Sequence, residues 1–237
     1  MVEARILYSE PLIQGFERAM RTSYDPEYLQ LTRKPLRCRG RFNVVISGGP
    51  RQFHAGDTEA AHDVVEIRRE GIPRGTFWVG FKAAFDIWEG YSSLLEHVSV
   101  TLCQSIPTGE LLGMFRAEWD SRGATDSTSN HAQPHWHITL GPDAFRVLRE
   151  PPDSGSRAPV EFSPENVSDG LGIDISSFHF AMSPLWSRGV TAPHRQRFET
   201  TEELGAWFNS LSTYIAEQLA YVTKKTGIAQ GAIVDFR

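Results

Sequence analysis

Two histidines separated by a single tryptophan, His135 and His137, carry the clearest chemical signal in this 237-residue chain. On an extended strand alternate residues leave the backbone on the same side, so the two imidazoles project together, close enough for one divalent ion to bridge. A catalytic metal site needs about three protein ligands and a position left for water or substrate. Glu118 is the best third ligand, because its segment and the histidine segment are joined by the polar loop 122–130. Asp120 and His131 are the alternatives. Two histidines and a carboxylate suit Mn, Mg or Zn, and the donor types do not choose among them. A His-x-His pair on a strand is also a common surface decoration, so the acidic neighbour carries the argument.

The elements that must position these side chains are read from periodicity. Residues 97–103, 114–120, 134–140 and 175–182 alternate polar and apolar, the pattern of half-buried strands, with a turn at 106–109. Their apolar sets include Val98, Val100, Leu102, Phe115, Ala117, Trp119, Trp136 and Phe180. The opposite sets hold His97, Ser99, Thr101, Arg116, Glu118, Asp120, His135, His137 and His179. Five of the eight histidines fall between positions 97 and 179. Residues 41–46 and 64–67 read as earlier strands, and the apolar spacing over 81–95 predicts a helix. The first residues show no periodicity that assigns an element. A C-terminal helix is predicted from Thr200 as cap, Glu203 at the reciprocal position and Gly227 as stop, with Leu204, Phe208, Leu211, Ile215, Leu219 and Val222 as its apolar stripe. The fold class is α+β: an antiparallel sheet with a His/Glu-bearing face and a packed C-terminal helix. Residues 1–75 form a basic segment that either stands apart or joins the sheet domain of residues 76–237.

Gln133-Pro-His-Trp-His-Ile-Thr-Leu140 resembles the His-hydrophobic-His motif of the HUH endonuclease superfamily, and the layout is most similar to plasmid-type rolling-circle replication initiators. Phe115-Arg-Ala-Glu-Trp-Asp120 stands where those proteins carry a Glu-containing strand. Val98-Ser-Val-Thr-Leu102 looks like their upstream Thr-Leu strand. Ala220-Tyr-Val-Thr-Lys-Lys225 is similar to their nucleophile helix, with its Tyr-x-x-x-Lys spacing. The resemblance implies an endonuclease that cleaves single-stranded DNA or a displaced strand. His135, His137 and Glu118 would hold a divalent ion, Tyr221 would attack the phosphodiester, and Lys225 would stabilise developing charge. At 100° per residue Tyr214, Gln218, Tyr221 and Lys225 share one flank of the last helix, which could overhang the polar sheet face. The chain departs from the family at 106–109, too short for the helix usually found there, and in its first hundred residues, which have no counterpart.

Composition narrows the alternatives. With 24 basic and 29 acidic residues the chain is no polycation, so a nucleic-acid site must be a local patch. Nine Lys/Arg against five Asp/Glu between Arg33 and Arg74, with Trp78, Trp88 and Trp186, supply one candidate for a non-catalytic nucleic-acid or protein binding module. His97-Val-Ser-Val and His137-Ile-Thr-Leu also fit the pattern of metal-independent two-histidine phosphoesterases, whose paired histidines act as general acid and base. A histidine-triad hydrolase fits less well, since Thr139 replaces its third His. No apolar run approaches the roughly 18 residues of a membrane span, two cysteines make no disulfide framework, and Met1 is followed by Glu3 and Arg5 rather than an apolar leader. The expectation is a cytoplasmic protein without a membrane partner.

Overall fold

The computed structural model describes residues 10–25, 29–36, 41–53, 61–88, 92–105, 109–121, 133–138, 179–181, 198 and 200–226. The first element is a helix, α1 (Glu10–Tyr24), in a stretch whose periodicity assigns no element. Its buried residues Leu12, Ile13, Phe16, Ala19, Met20 and Tyr24 recur every three or four positions, the stripe of an amphipathic helix. Glu10 lies in the first turn and Arg21 in the last, matching the helix dipole, and Arg21 pairs with Glu17 one turn back at 2.9 Å. Asp25, at φ 45°, stops it in the left-handed region that Asp tolerates.

Nine antiparallel strands follow: β1 (Leu31–Pro35), β2 (Phe42–Ile46), β3 (Arg51–Phe53), β4 (His62–Glu66), β5 (Phe77–Trp88), β6 (Ser92–Ser105), β7 (Leu111–Asp120), β8 (His135–Ile138) and β9 (His179–Ala181). They form one sheet in the order β1-β2-β5-β6-β7-β8-β9, while β3 pairs with β4 and β4 with the start of β5. A second helix, α2 (Thr201–Thr226), closes the described chain. The architecture is the α+β one expected, and the strands expected at 97–103, 114–120, 134–140 and 175–182 are the neighbours β6-β7-β8-β9. Strands β1 to β4 belong to the same sheet as the rest.

The expected helix at 81–95 is instead the facing ends of β5 and β6. Phe77, Val79, Phe81, Ala83 and Phe85 enter the main core at every second position, which is the strand period. A register shift between Ala84 and Phe85 admits one extra residue in β6, which lets both Leu95 and Val98 enter the core while His97 takes the other face. That irregularity, with apolar residues on both faces of a central strand, mimics helical spacing.

Both helices lie on one face of the sheet. Phe16 of α1, Phe81 of β5 and Phe208 of α2 meet ring to ring, with centroids 4.6 Å apart for Phe16–Phe208 and 5.4 Å for the other two pairs. Val98, Val100, Ala117 and Trp119 join the same core. Trp119 packs on Phe198, which packs on Trp207 of α2, each pair 5.5 Å apart. Thr200 caps α2 as expected, its hydroxyl accepting the Glu203 backbone N–H at 3.2 Å. Phe115, expected in the core, is 37 % exposed and meets the Trp136 ring edge to face.

The opposite face is covered at one end by the β3–β4 hairpin, which buries Phe53, Val64, Trp78 and Cys103 in a small second cluster. Trp78, one of the aromatics of the candidate binding module, is thus interior, with its indole N–H donated to Ser105 Oγ at 2.8 Å. Gly49 is required there, since a Cβ would stand 2.4 Å from the Val64 carbonyl oxygen. Burial pushes the Cys103 thiol up to about 12 against the opposing charge of Arg51, so it is an inert packing group.

Two expectations follow from this packing. Phe208→Ala removes the ring shared by both helices and the sheet and should cost about 3–5 kcal/mol in denaturant unfolding, and an unchanged midpoint would contradict that central role. Burial raises the Tyr24 phenol above its usual range, with Ser212 opposing part of the shift. A raised phenol contributes stability that is complete below the unfolded pKa of about 10 and lost as pH rises beyond it. Unfolding midpoints should therefore fall above about pH 10, and less steeply in Tyr24→Phe.

Candidate metal centre

Residues paired across an antiparallel sheet share a face. In this sheet Ser99 stands opposite Glu118, Glu118 opposite His135, and Arg116 opposite His137, while His97 faces Asp120. Glu118 alternates with Ala117 and Trp119, both buried beneath α2, so its carboxylate leaves the sheet on the side away from the helices.

There the three residues singled out as metal ligands come together. His135 Nε2 lies 2.8 Å from His137 Nε2, His137 Nε2 lies 2.6 Å from Glu118 Oε2, and His135 Nε2 lies 3.5 Å from the same oxygen. An ion with ligand bonds of about 2.1 Å sets adjacent donors roughly 3 Å apart, and the three edges scatter about that separation, two shorter and one longer. Hydrogen bonding alone fits it poorly. A ring nitrogen offers either one proton or one lone pair, yet His137 Nε2 faces a carboxylate oxygen and a second imidazole nitrogen at contact distance. A cation would take all three lone pairs. This Glu/His/His group could hold a metal ion, its donor atoms lying within 4.8 Å of one another.

The second carboxylate oxygen is engaged separately. Arg116 Nε approaches Glu118 Oε1 at 2.7 Å and His97 Nε2 approaches it at 3.2 Å. One oxygen is thereby oriented by two side chains while the other is presented to the histidines, the division expected of a ligating carboxylate. Glu118 and His135 are buried, and His137 is nearly so. Burial alone would raise the Glu118 carboxyl. Hydrogen bonds from His135, His137 and His97, with the charge of His97, outweigh it and hold the group far below the ordinary carboxylate range. The site offers an ionised carboxylate at any physiological pH.

Gln133, the first residue of the His-Trp-His motif segment, has no role assigned to it from the sequence. It is fully buried, its Oε1 accepts the Asp120 backbone N–H at 2.8 Å, and its Nε2 has no hydrogen-bond partner among the described residues. Only this tertiary contact identifies it, Gln133 lying two residues before His135 and Asp120 two after Glu118. Asp120, weighed as a third ligand, is not one of the converging donors; His131, the other alternative, lies outside the described residues.

Tyr221 is not brought to this centre. It sits on α2, 59 % exposed, and Tyr214 on the same flank is 53 % exposed. The flank is the one the helical wheel indicates, but it faces solvent rather than the polar sheet face, because α2 packs on the opposite side of the sheet. The Lys225 side chain, His179 beyond its backbone pairing to His137, and the connections 122–130 and 141–172 lie outside what is described. Of the arginines read as a basic patch, Arg41 pairs with Asp86, Arg68 with Glu66, Arg51 bonds Ser105, and Arg33 stacks on the Phe42 ring at 3.7 Å. These charges are spent on the fold. No helix among the described residues is long and apolar enough to cross a membrane.

Titration with zinc or manganese against a competing chelator should find one site per chain, abolished in His135→Ala/His137→Ala. Arg116→Ala should retain it at about 10–100-fold lower affinity, because that side chain only orients the carboxylate. Equal affinity in wild type and the double variant would dissolve the site. No protein-family model matches the chain, and neither does any curated protein or solved structure.

Proposed function

We propose that the protein is a metal-dependent phosphodiesterase acting on single-stranded nucleic acid, with an HUH-like ion site of His135, His137 and Glu118, and with water rather than Tyr221 as the nucleophile. The observation that carries the reading is the triangle of two imidazole nitrogens and one carboxylate oxygen, buried on a sheet face that the helices leave free. A divalent ion there supplies Lewis acidity at the scissile phosphate. Mn, Mg and Zn all accept this donor set.

The chain's own residues account for the proton. His97 is at the rim, its side chain 25 % exposed, with Nε2 against Glu118 Oε1. Donating Nε2–H to that oxygen leaves the lone pair on Nδ1, which can take a proton from the attacking water and return it to the departing alkoxide. The new P–O bond forms from the water oxygen, the ester P–O bond breaks, and the products are a phosphate monoester and an alcohol. Arg116 holds the carboxylate in place and adds positive charge beside the reacting centre.

The covalent tyrosine route is disfavoured by the position of α2. The metal-independent two-histidine reading has some support in the approach of His97 and His137 to the same carboxylate. The binding-module reading is weakened by the internal partners of Arg33, Arg41, Arg51 and Arg68.

The test is cleavage of an end-labelled single-stranded oligonucleotide with added Mn or Mg. Cutting should disappear with chelator and in His135→Ala/His137→Ala, fall by about 10²–10⁴-fold in His97→Ala, and persist without a covalent adduct in Tyr221→Phe. Cutting that survives chelation would select the two-histidine mechanism. An adduct that vanishes in Tyr221→Phe would restore the tyrosine nucleophile.

A further inference from the structure

The face that carries Glu118 continues two strands further, and there its chemistry changes. Lys82 of β5 stands opposite Ser99, Ser99 opposite Glu118, and Glu118 opposite His135, so the four form one straight row across β5-β6-β7-β8. The adjacent row is Gly80, Thr101, Arg116 and His137. Lys82, Ser99 and Thr101 are therefore neighbours on one patch, with Lys82 two strand spacings, about 10 Å, from the Glu118 backbone.

This patch is rich in side-chain donors that have no partner among the described residues. Lys82 is half-buried, and Ser99 and Thr101 are only 7 % and 4 % exposed. Among the described residues no side-chain hydrogen bond or ion pair engages any of the three. The contrast with the nearby arginines is sharp, since each of those has an internal partner. A half-buried ammonium with no counter-charge among the described residues favours an anionic partner, and its three donors have no acceptor capacity of their own. On one side the His62 ring lies over Gly80, where a Cβ would come within 2.8 Å of Nε2, so the patch is walled rather than open. On the other side it runs directly into the metal centre.

The geometry points to an oxyanion subsite formed by Lys82, Ser99 and Thr101, which holds a substrate phosphate beside the one undergoing attack at Glu118, His135 and His137. The inference rests on the phosphodiesterase reading and deepens it. A lysine suits the task because it is a mobile point charge that can follow a flexible backbone, and two hydroxyls can donate to the same phosphate. The ligand chemistry is a phosphate oxyanion, supplied either by a nucleic-acid backbone or by a free phosphate.

The experiment uses the protein as purified, with two probes: fluorescein-labelled oligothymidylate of ten nucleotides, and inorganic phosphate. Lys82→Gln should weaken oligothymidylate binding about tenfold, the loss of one charge-assisted contact. It should also reduce the slope of log affinity against log salt by about 0.7, since one fewer phosphate is neutralised on a single strand. Lys82→Arg should restore both, and metal content should be the same in all three proteins. Wild-type affinity and slope in Lys82→Gln would overturn the subsite, as would a loss of metal accompanying the loss of binding. If wild type binds inorganic phosphate through Lys82 but ignores oligothymidylate, the subsite stands and the nucleic-acid substrate falls. Binding of neither probe overturns the subsite, while metal affinity still reports separately on the centre itself.

Discussion

The register between β7 and β8 is the constraint on which the site depends. Glu118 and His135 are directly opposed, and a slip of one residue would turn every side chain of β8 to the other face. His135 and His137 would then point into the helical core, and Trp136 would face water. The register is held by the apolar partners on the far side, where Ala117 stands opposite Trp136 and both pack with the core. The chemistry on one face is thus positioned by the hydrophobic effect acting on the other. Irregularities in the ladder do the fine adjustment: the extra residue in β6 lets Leu95 and Val98 both be buried while His97 stays on the polar face.

Such a face is costly to build. Burying a carboxylate is unfavourable unless its lone pairs are matched, and removing one partner from a buried ionic group costs about 3–5 kcal/mol. Here two side chains serve Oε1 and two imidazoles serve Oε2. The arrangement at Oε1 needs no ion, since the Arg116 guanidinium supplies an ion pair and His97 Nε2 a hydrogen-bond contact. The arrangement at Oε2 is crowded without one. That asymmetry within a single carboxylate separates the part of the cluster that the fold itself satisfies from the part that could hold an ion.

Much of this was legible in the sequence, for a physical reason. Where one strand face is buried and the other is chemically distinct, as in 97–103, 114–120 and 134–138, period two is unmistakable and the two faces sort themselves. The ligand set followed from that sorting. Where both faces are buried the signal blurs: β5 carries Phe81, Ala83 and Phe85 toward the helices and Trp78 under the β3–β4 hairpin, and the resulting apolar run with its ladder irregularity passes for a helix. Helix α1 had the opposite difficulty. Its stripe of Leu12, Ile13, Phe16, Met20 and Tyr24 is regular, but Glu17, Arg18, Arg21 and Thr22 dilute it in a short window. Contacts made only by tertiary pairing, such as Gln133 against Asp120 or Lys82 in line with Glu118, leave no local trace and needed the register to be seen.

The position of Tyr221 shows how far a local pattern can carry a mechanism. The helical wheel correctly groups Tyr214, Gln218 and Tyr221 on one flank, and all three are exposed. What the wheel lacks is the side of the sheet against which the helix lies. With Leu204, Phe208, Leu211, Ile215 and Leu219 in the same core as Val98 and Ala117, α2 is separated from the Glu118 carboxylate by the sheet itself. A nucleophile must come within about 3–3.5 Å of the atom it attacks, and no rotamer of a helix residue on one face reaches a phosphate bound on the other. The same two-sidedness that protects the core therefore divides the residues available for chemistry. Those from β5, β6, β7 and β8 share one face and can act on one substrate, and those from α2 cannot join them while the helix stays packed.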